Sequence, residues 1–148
     1  MGKVLFVGFK GKNNASGKLA VLISSEHLLL TNSLAGLRKD IDSAGEEYDR
    51  VILFGVDKTL TSSVRIEKSA AKDDKIIYSE LDLSDLIGSI KAVEIEAEIS
   101  DDPKNSLCNE AYWQALTKYA GRAVFIHIPT IRYADEMFLD KLKRVFTS

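Results

Sequence analysis

The 148-residue sequence contains one cysteine, two histidines, two prolines and one tryptophan. A lone cysteine cannot close an internal disulfide, so nothing points to an oxidising compartment. One cysteine and two histidines also fall short of the usual ligand set of a structural zinc site. The chain therefore reads as one without metal or cofactor. An excess charge of one sign is missing too. Twenty basic against 22 acidic residues leave a net charge of -2, not the broad positive field of a nucleic-acid binder. The apolar run near the N-terminus, Val4 to Phe9, is too short for a signal-peptide core or a membrane span, and no small-residue cleavage pattern follows it. The glycines do not cradle phosphate. Gly8-Phe-Lys-Gly11 lacks the dinucleotide spacing, and no G-x-x-x-x-G-K-S/T motif occurs. What remains is ordinary globular composition, 45% hydrophobic and 28% charged. The expectation is a soluble, cytoplasmic protein, one domain over residues 1–148, with neither nucleic acid nor membrane as partner.

Three runs are continuously apolar: Lys3-Val-Leu-Phe-Val-Gly8, Val51-Ile-Leu-Phe-Gly55 and Arg122 to Ile128. Continuous rather than alternating hydrophobicity suits strands covered on both faces, as in a parallel sheet. Between them lie helical patterns at Ala15 to Ser24, Leu34 to Ser43 (capped by Asn32 or Ser33), Ser84 to Lys91, Ser106 to about Ala120 and Ala134 to Phe146. His27 to Leu30, Val64 to Ile66 and Lys75 to Ser79 read as short extended segments. Ala92 to Ile99 alternates strictly, with Val93, Ile95, Ala97 and Ile99 opposite Glu94, Glu96 and Glu98. That pattern predicts an edge strand with a solvated acidic face. Strands alternating with helices predict an α/β fold, a three-layer α/β/α sandwich with a mostly parallel twisted sheet. Ligands in such folds bind beyond the carboxyl ends of the strands. Chemistry is therefore expected in the loops after Gly8, Gly55, Ile99 and Ile128.

Cys108 falls in the first turn of a predicted helix, where unpaired N–H groups and a partial positive charge favour a thiolate. The alternative is a small buried residue of the core. His127, in Val124-Phe-Ile-His-Ile-Pro129, sits at the carboxyl end of a buried strand, where an imidazole must be hydrogen-bonded or face a cleft. That end is expected on the same rim as the start of the Cys108 helix, within reach of a thiol–imidazole pair. Glu67 follows the loop after the Gly55 strand and is expected on that rim as the orienting acid. His27 reads as structural or exposed.

Four segments in order resemble the pyroglutamyl peptidases. Ser106-Leu-Cys-Asn-Glu-Ala-Tyr112 is similar to that family's cysteine motif, and Val124-Phe-Ile-His-Ile-Pro129 to its histidine strand, Phe-Ile-His-Val-Pro. Val64-Arg-Ile-Glu-Lys-Ser-Ala70 resembles the glutamate segment, with Lys68 where arginine is usual. Val7-Gly-Phe9 with Asn14-Ala-Ser16 resembles the family's Gly-Phe turn and later Asn-Pro-Ser/Thr. The resemblance implies a Cys-His-Glu hydrolase that removes an N-terminal pyroglutamyl residue from peptides. It makes Cys108 the nucleophile, His127 the base and then acid, and Glu67 the orienting group, with Phe9 and Asn14 on the substrate. It also implies a homo-oligomer. The chain departs from the family in a shortened middle between Glu67 and Cys108. It departs again in the first turn, where Lys10-Gly-Lys12 stands without the family's second phenylalanine, and before the cysteine, where Asp102-Pro-Lys-Asn105 replaces Ser-Ala-Gly-Thr. A catalytically degenerate relative and a cysteine amidohydrolase acting on a small amide are the competing readings.

Overall fold

The computed structural model describes residues 2–104 and 106–147. The elements run, in order, β1 (Lys3–Phe9), α1 (Ala15–Ile23), β2 (His27–Leu30), α2 (Leu34–Asp42), β3 (Tyr48–Val56), β4 (Ser63–Glu67), β5 (Ser69–Lys72), β6 (Lys75–Tyr78), α3 (Leu83–Ala92), β7 (Glu96–Ser100), α4 (Leu107–Lys118), β8 (Ala123–Ile128) and α5 (Glu136–Thr147). Six strands form one sheet in the order β2-β1-β3-β8-β4-β7. Every neighbouring pair is parallel except β4 against β8. The result is a mostly parallel α/β/α sandwich.

The continuous apolar runs cover the sheet on both sides. Phe6, Ile52, Phe54, Val124, Ile126 and Ile128 face a layer made by α1, α3 and α5, with Leu19, Ile23, Ile90, Leu139 and Leu142 packed on them. The alternate residues Leu5, Val7, Val51, Leu53, Ala123 and Phe125 face α2 and α4, meeting Leu37, Ile41, Tyr112 and Leu116. Each fully buried side chain of this kind contributes about 1.5–3 kcal/mol.

Helix starts follow their capping residues. Asn14, Ser33, Asp82 and Ser106 each accept an amide of the first turn of α1, α2, α3 and α4. The hairpin β5–β6 turns through Asp73 and Asp74 with φ of 50° and 63°. Positive φ at both central residues matches the right-handed twist of the flanking strands, and aspartate tolerates it better than most residues. Among the described residues, no helix is long and apolar enough to cross a membrane.

Two expectations need correction. The strand expected from Ala92 begins only at Glu96. Helix α3 continues through Ala92, Val93 caps it, and Glu94 turns the chain at φ 64°. The strand is nonetheless the sheet edge, with Glu96 and Glu98 exposed. The expected single rim is only partly right: the segments after Gly55, Ile99 and Ile128 do line one cavity, but the strands that lead to them do not all run the same way. Because β4 and β7 run opposite to β8, their carboxyl ends point to the other end of the sheet.

Candidate active site

The reversal of β4 moves the meeting point from the rim to the sheet face. Register pairs Arg65 with His127 and Glu67 with Phe125, and residues directly opposite each other in an antiparallel pair share a face. Parallel pairing places Gly55 of β3 beside His127. All of these look toward α4, where the apolar layer of Leu53 and Phe125 gives way to polar groups. Position 55 has to be glycine for close approach. A Cβ there would stand 2.5 Å from Phe125 Cζ and 2.8 Å from Cys108 Sγ. The Cys108 thiol therefore lies over Gly55, one strand from His127.

His127 Nδ1 donates to Glu67 Oε2 at 2.7 Å. A carboxylate only accepts, so Nδ1 carries a proton, and in the neutral tautomer that follows Nε2 is the free nitrogen. Arg65 Nε donates to the same oxygen at 2.7 Å, and its Nη2 donates to Asp57 Oδ2 at 2.6 Å. The side chains of His127 and Glu67 are only 14% and 10% exposed, which strengthens their pairing relative to a surface contact. Burial alone would raise the Glu67 carboxyl, but the hydrogen bonds from His127 and Arg65 outweigh it and hold the group below its ordinary range. Asp57 is held low in the same way. Burial opposes its charge, while Thr59 and Arg65 donate to it.

Cys108 departs from the expectation of a depressed thiol. Burial pushes it up to about 12, and the charges of Glu67 and Asp57 add to the rise. Arg65 and the start of α4 pull the other way, but the two nearby carboxylates and the loss of water win. The surroundings disfavour the thiolate form.

These groups line one cavity of about 500 Å³, with Val56, Tyr112 and Phe125 as apolar wall and Lys58, Asp102, Pro103 and Lys104 among its other lining residues. The Phe125 and His127 rings lie 4.8 Å apart, centroid to centroid. Tyr112 Oη donates to the Glu67 carbonyl at 2.8 Å and so ties α4 to β4. Asn109, next to the cysteine, clamps the hairpin: its Oδ1 accepts the Ala71 amide at 3.0 Å and its Nδ2 donates to the Ala71 carbonyl at 2.8 Å.

Of the residues singled out from sequence, Cys108, His127 and Glu67 come together, while Phe9 and Asn14 do not join them. Phe9 is 4% exposed in the core under α2 and α4. Its strand lies two places from β8, roughly 10 Å at ordinary strand spacing. Asn14 caps α1, accepting the Ser16 amide and hydroxyl, and Ser16 Oγ accepts the Phe9 amide. Their structural work is to dock α1 onto β1. His27 is structural: its Nδ1 donates to the Ser24 carbonyl at 2.7 Å.

Sequence reasoning missed Arg65, Asp57, Asn109 and Tyr112 as members of the site. A usable signal was present in Val64-Arg-Ile-Glu67, where two opposite charges occupy alternate positions of an otherwise apolar strand.

No family model and no curated protein matches this chain. Solved structures do. Pyrrolidone carboxyl peptidase from Thermococcus litoralis superposes with a TM-score of 0.81 at 20% identity, over 98% of this chain and 90% of that one. Pyroglutamyl peptidase I from Bacillus amyloliquefaciens gives 0.79 at 17% identity, over 99% and 96%. A point variant of pyrrolidone carboxyl peptidase from the hyperthermophile Pyrococcus furiosus gives 0.77 at 18%, over 97% and 95%. This chain has the fold of those proteins.

Proposed function

We propose that this chain is a cysteine hydrolase of the pyroglutamyl-peptidase kind, acting on N-terminal pyroglutamyl peptides. The observation that carries the reading is the 2.7 Å hydrogen bond from His127 to Glu67 in the wall of a cavity that Cys108 also lines. With Glu67 holding the Nδ1 proton, the Nε2 lone pair accepts the proton of the Cys108 thiol as sulfur attacks the amide carbonyl. The first-turn amide of Asn109 is taken by Ser106 Oγ. Those of Leu107 and Cys108 have no partner within the helix and serve in this reading as donors to the developing oxyanion. Collapse of the tetrahedral adduct passes the proton from His127 to the leaving amine and leaves a thioester on Cys108. Water, deprotonated by His127, then attacks the thioester and frees the acid and the thiol. The raised thiol makes this a general-base mechanism, in which proton transfer accompanies attack.

One observation favours a second reading, an amidohydrolase for another small amide: Phe9 and Asn14 do not line the cavity. The test is fluorophore release from a pyroglutamyl amide and from a panel of other small amides under reducing conditions, beside Cys108→Ala. Cys108-dependent release from the pyroglutamyl substrate supports the first reading, and release only from another amide supports the second. A folded protein that releases nothing from any of them is a fold relative without the reaction, and both readings fall.

A further inference from the structure

The carboxylate that orients His127 is itself held. Arg65 faces His127 across the β4–β8 ladder, and its guanidinium spans two carboxylates, Nε to Glu67 at 2.7 Å and Nη2 to Asp57 at 2.6 Å. Asp57 is anchored in turn, accepting the Thr59 amide at 2.9 Å and hydroxyl at 2.7 Å. The same Nη2 lies 3.4 Å from His127 Nδ1. Because Nδ1 already donates to Glu67, this approach brings a positive charge to the ring rather than a second hydrogen bond.

A planar, permanently charged fork fixes where both carboxylates sit, which a lysine cannot do. The charged and titratable groups that line the cavity with His127 are Glu67 and Arg65 from β4, Asp57 and Lys58 from the segment after β3, Asp102 and Lys104 from the segment after β7, and Cys108 and Tyr112 from α4. Of the three cations, Arg65 is the one that reaches the ring, at 3.4 Å. Without it, two carboxylates would bear on the ring and favour imidazolium, and a protonated ring cannot accept the thiol proton.

We propose, resting on the hydrolase reading above, that Arg65 is the positioning residue of the His127–Glu67 pair. It holds Glu67 Oε2 against Nδ1 and offsets the carboxylate charge on the ring, leaving Nε2 free for Cys108. The experiment is an NMR titration of the imidazole nitrogens, tractable because the chain has two histidines. It is run on the native protein and on Arg65→Gln, Arg65→Lys and Asp57→Asn. In the native protein the neutral ring carries its proton on Nδ1, toward Glu67. Arg65→Gln raises the His127 midpoint by about one pH unit and broadens the Nδ1 proton signal through exchange. Arg65→Lys restores the midpoint but not the sharp signal. Asp57→Asn, which removes a negative charge, lowers the midpoint. His27 stays unmoved in all of them.

On an active enzyme, the Arg65→Gln shift appears as a kcat loss of about tenfold on the acid side of the profile, as one unit of midpoint requires, with KM unchanged. An unmoved His127 midpoint and an intact Nδ1 signal in Arg65→Gln overturn the proposal, as does a rise in KM alone. If Arg65→Gln does not fold, the Lys and Asp57→Asn variants decide by the same readouts. The titration needs no turnover. A chain that hydrolyses nothing sinks the hydrolase reading, while Arg65 is still judged on its effect on the ring.

Discussion

At the scale of single residues, a buried carboxylate and a partly buried thiol answer their surroundings in opposite ways. Glu110 of α4, 8% exposed, accepts from Arg38 on α2, Gln114 on α4 and Lys72 on the hairpin. Burial opposes its charge, but these donors hold its carboxyl down to about 2. A group whose folded pKa lies below its unfolded value stabilises the fold at higher pH and loses that contribution as pH falls through the folded value. Glu110→Gln is therefore expected to cost of order 1–2 kcal/mol at neutral pH, after allowance for the exposed Arg38 end of the network. The difference from the native protein should shrink as pH drops from about 4.5 toward 2, and thermal melting across that range measures it. Cys108 is the opposite case, a group whose charged form is disfavoured. Its alkylation by iodoacetamide is expected to be slower at pH 7 than that of free cysteine and to climb steadily above pH 9. A fast plateau persisting below pH 7 would reveal a preformed thiolate–imidazolium pair instead.

At the scale of elements, the site depends on a gap. Gly55 interrupts the apolar face of β3 so that the Cys108 sulfur and the Phe125 ring can both approach the strand. Gly55→Ala has a compatible extended backbone but no room for the methyl group. Displacing the thiol by about 1 Å is expected to cost on the order of 100-fold in kcat, with the circular dichroism spectrum unchanged. Native-like activity in Gly55→Ala would mean that the sulfur works from a different rotamer. The hairpin β5–β6 is a second element that the site depends on, since Asn109 next to Cys108 holds it by both amide atoms. From sequence this region was only an extended Lys75 to Ser79. The partner strand Ser-Ala-Ala-Lys72 has little hydrophobic signal of its own and pairs because tertiary contact with α4 holds it. The same limit explains the acidic strand: alternation identified an edge but not where α3 ended, because Glu94 in the left-handed region continues the period while breaking the chain direction.

At the scale of the whole molecule, the two apolar layers separate stability from chemistry. Ile126 and Phe125 are consecutive, both essentially unexposed, and face opposite layers. Ile126→Val should lower stability by about 1 kcal/mol and leave kcat intact below the melting transition. Phe125→Leu, on the layer that carries the cavity wall, should lower both, and equal effects on kcat from the two changes would contradict this division. The three continuous apolar runs and the capping residues made the α/β sandwich legible in the sequence. Burial on both faces and amide capping are properties of short segments. Cys108, His127 and Glu67 stand out in the sequence through residue type and motif order, and they line one cavity in the structure. What the tertiary structure alone decided is how they meet. Strand direction is a property of sheet pairing, invisible within Val64-Arg-Ile-Glu67. The reversal of β4 put Glu67 and Arg65 on the sheet face beside His127, where Asp57 from the segment after β3 meets Arg65, while Phe9 of β1 stays in the core. Burial depth is likewise collective. The local helix start favours a thiolate at Cys108, and only the packed surroundings, with two carboxylates nearby and water excluded, turn that balance against the charged form.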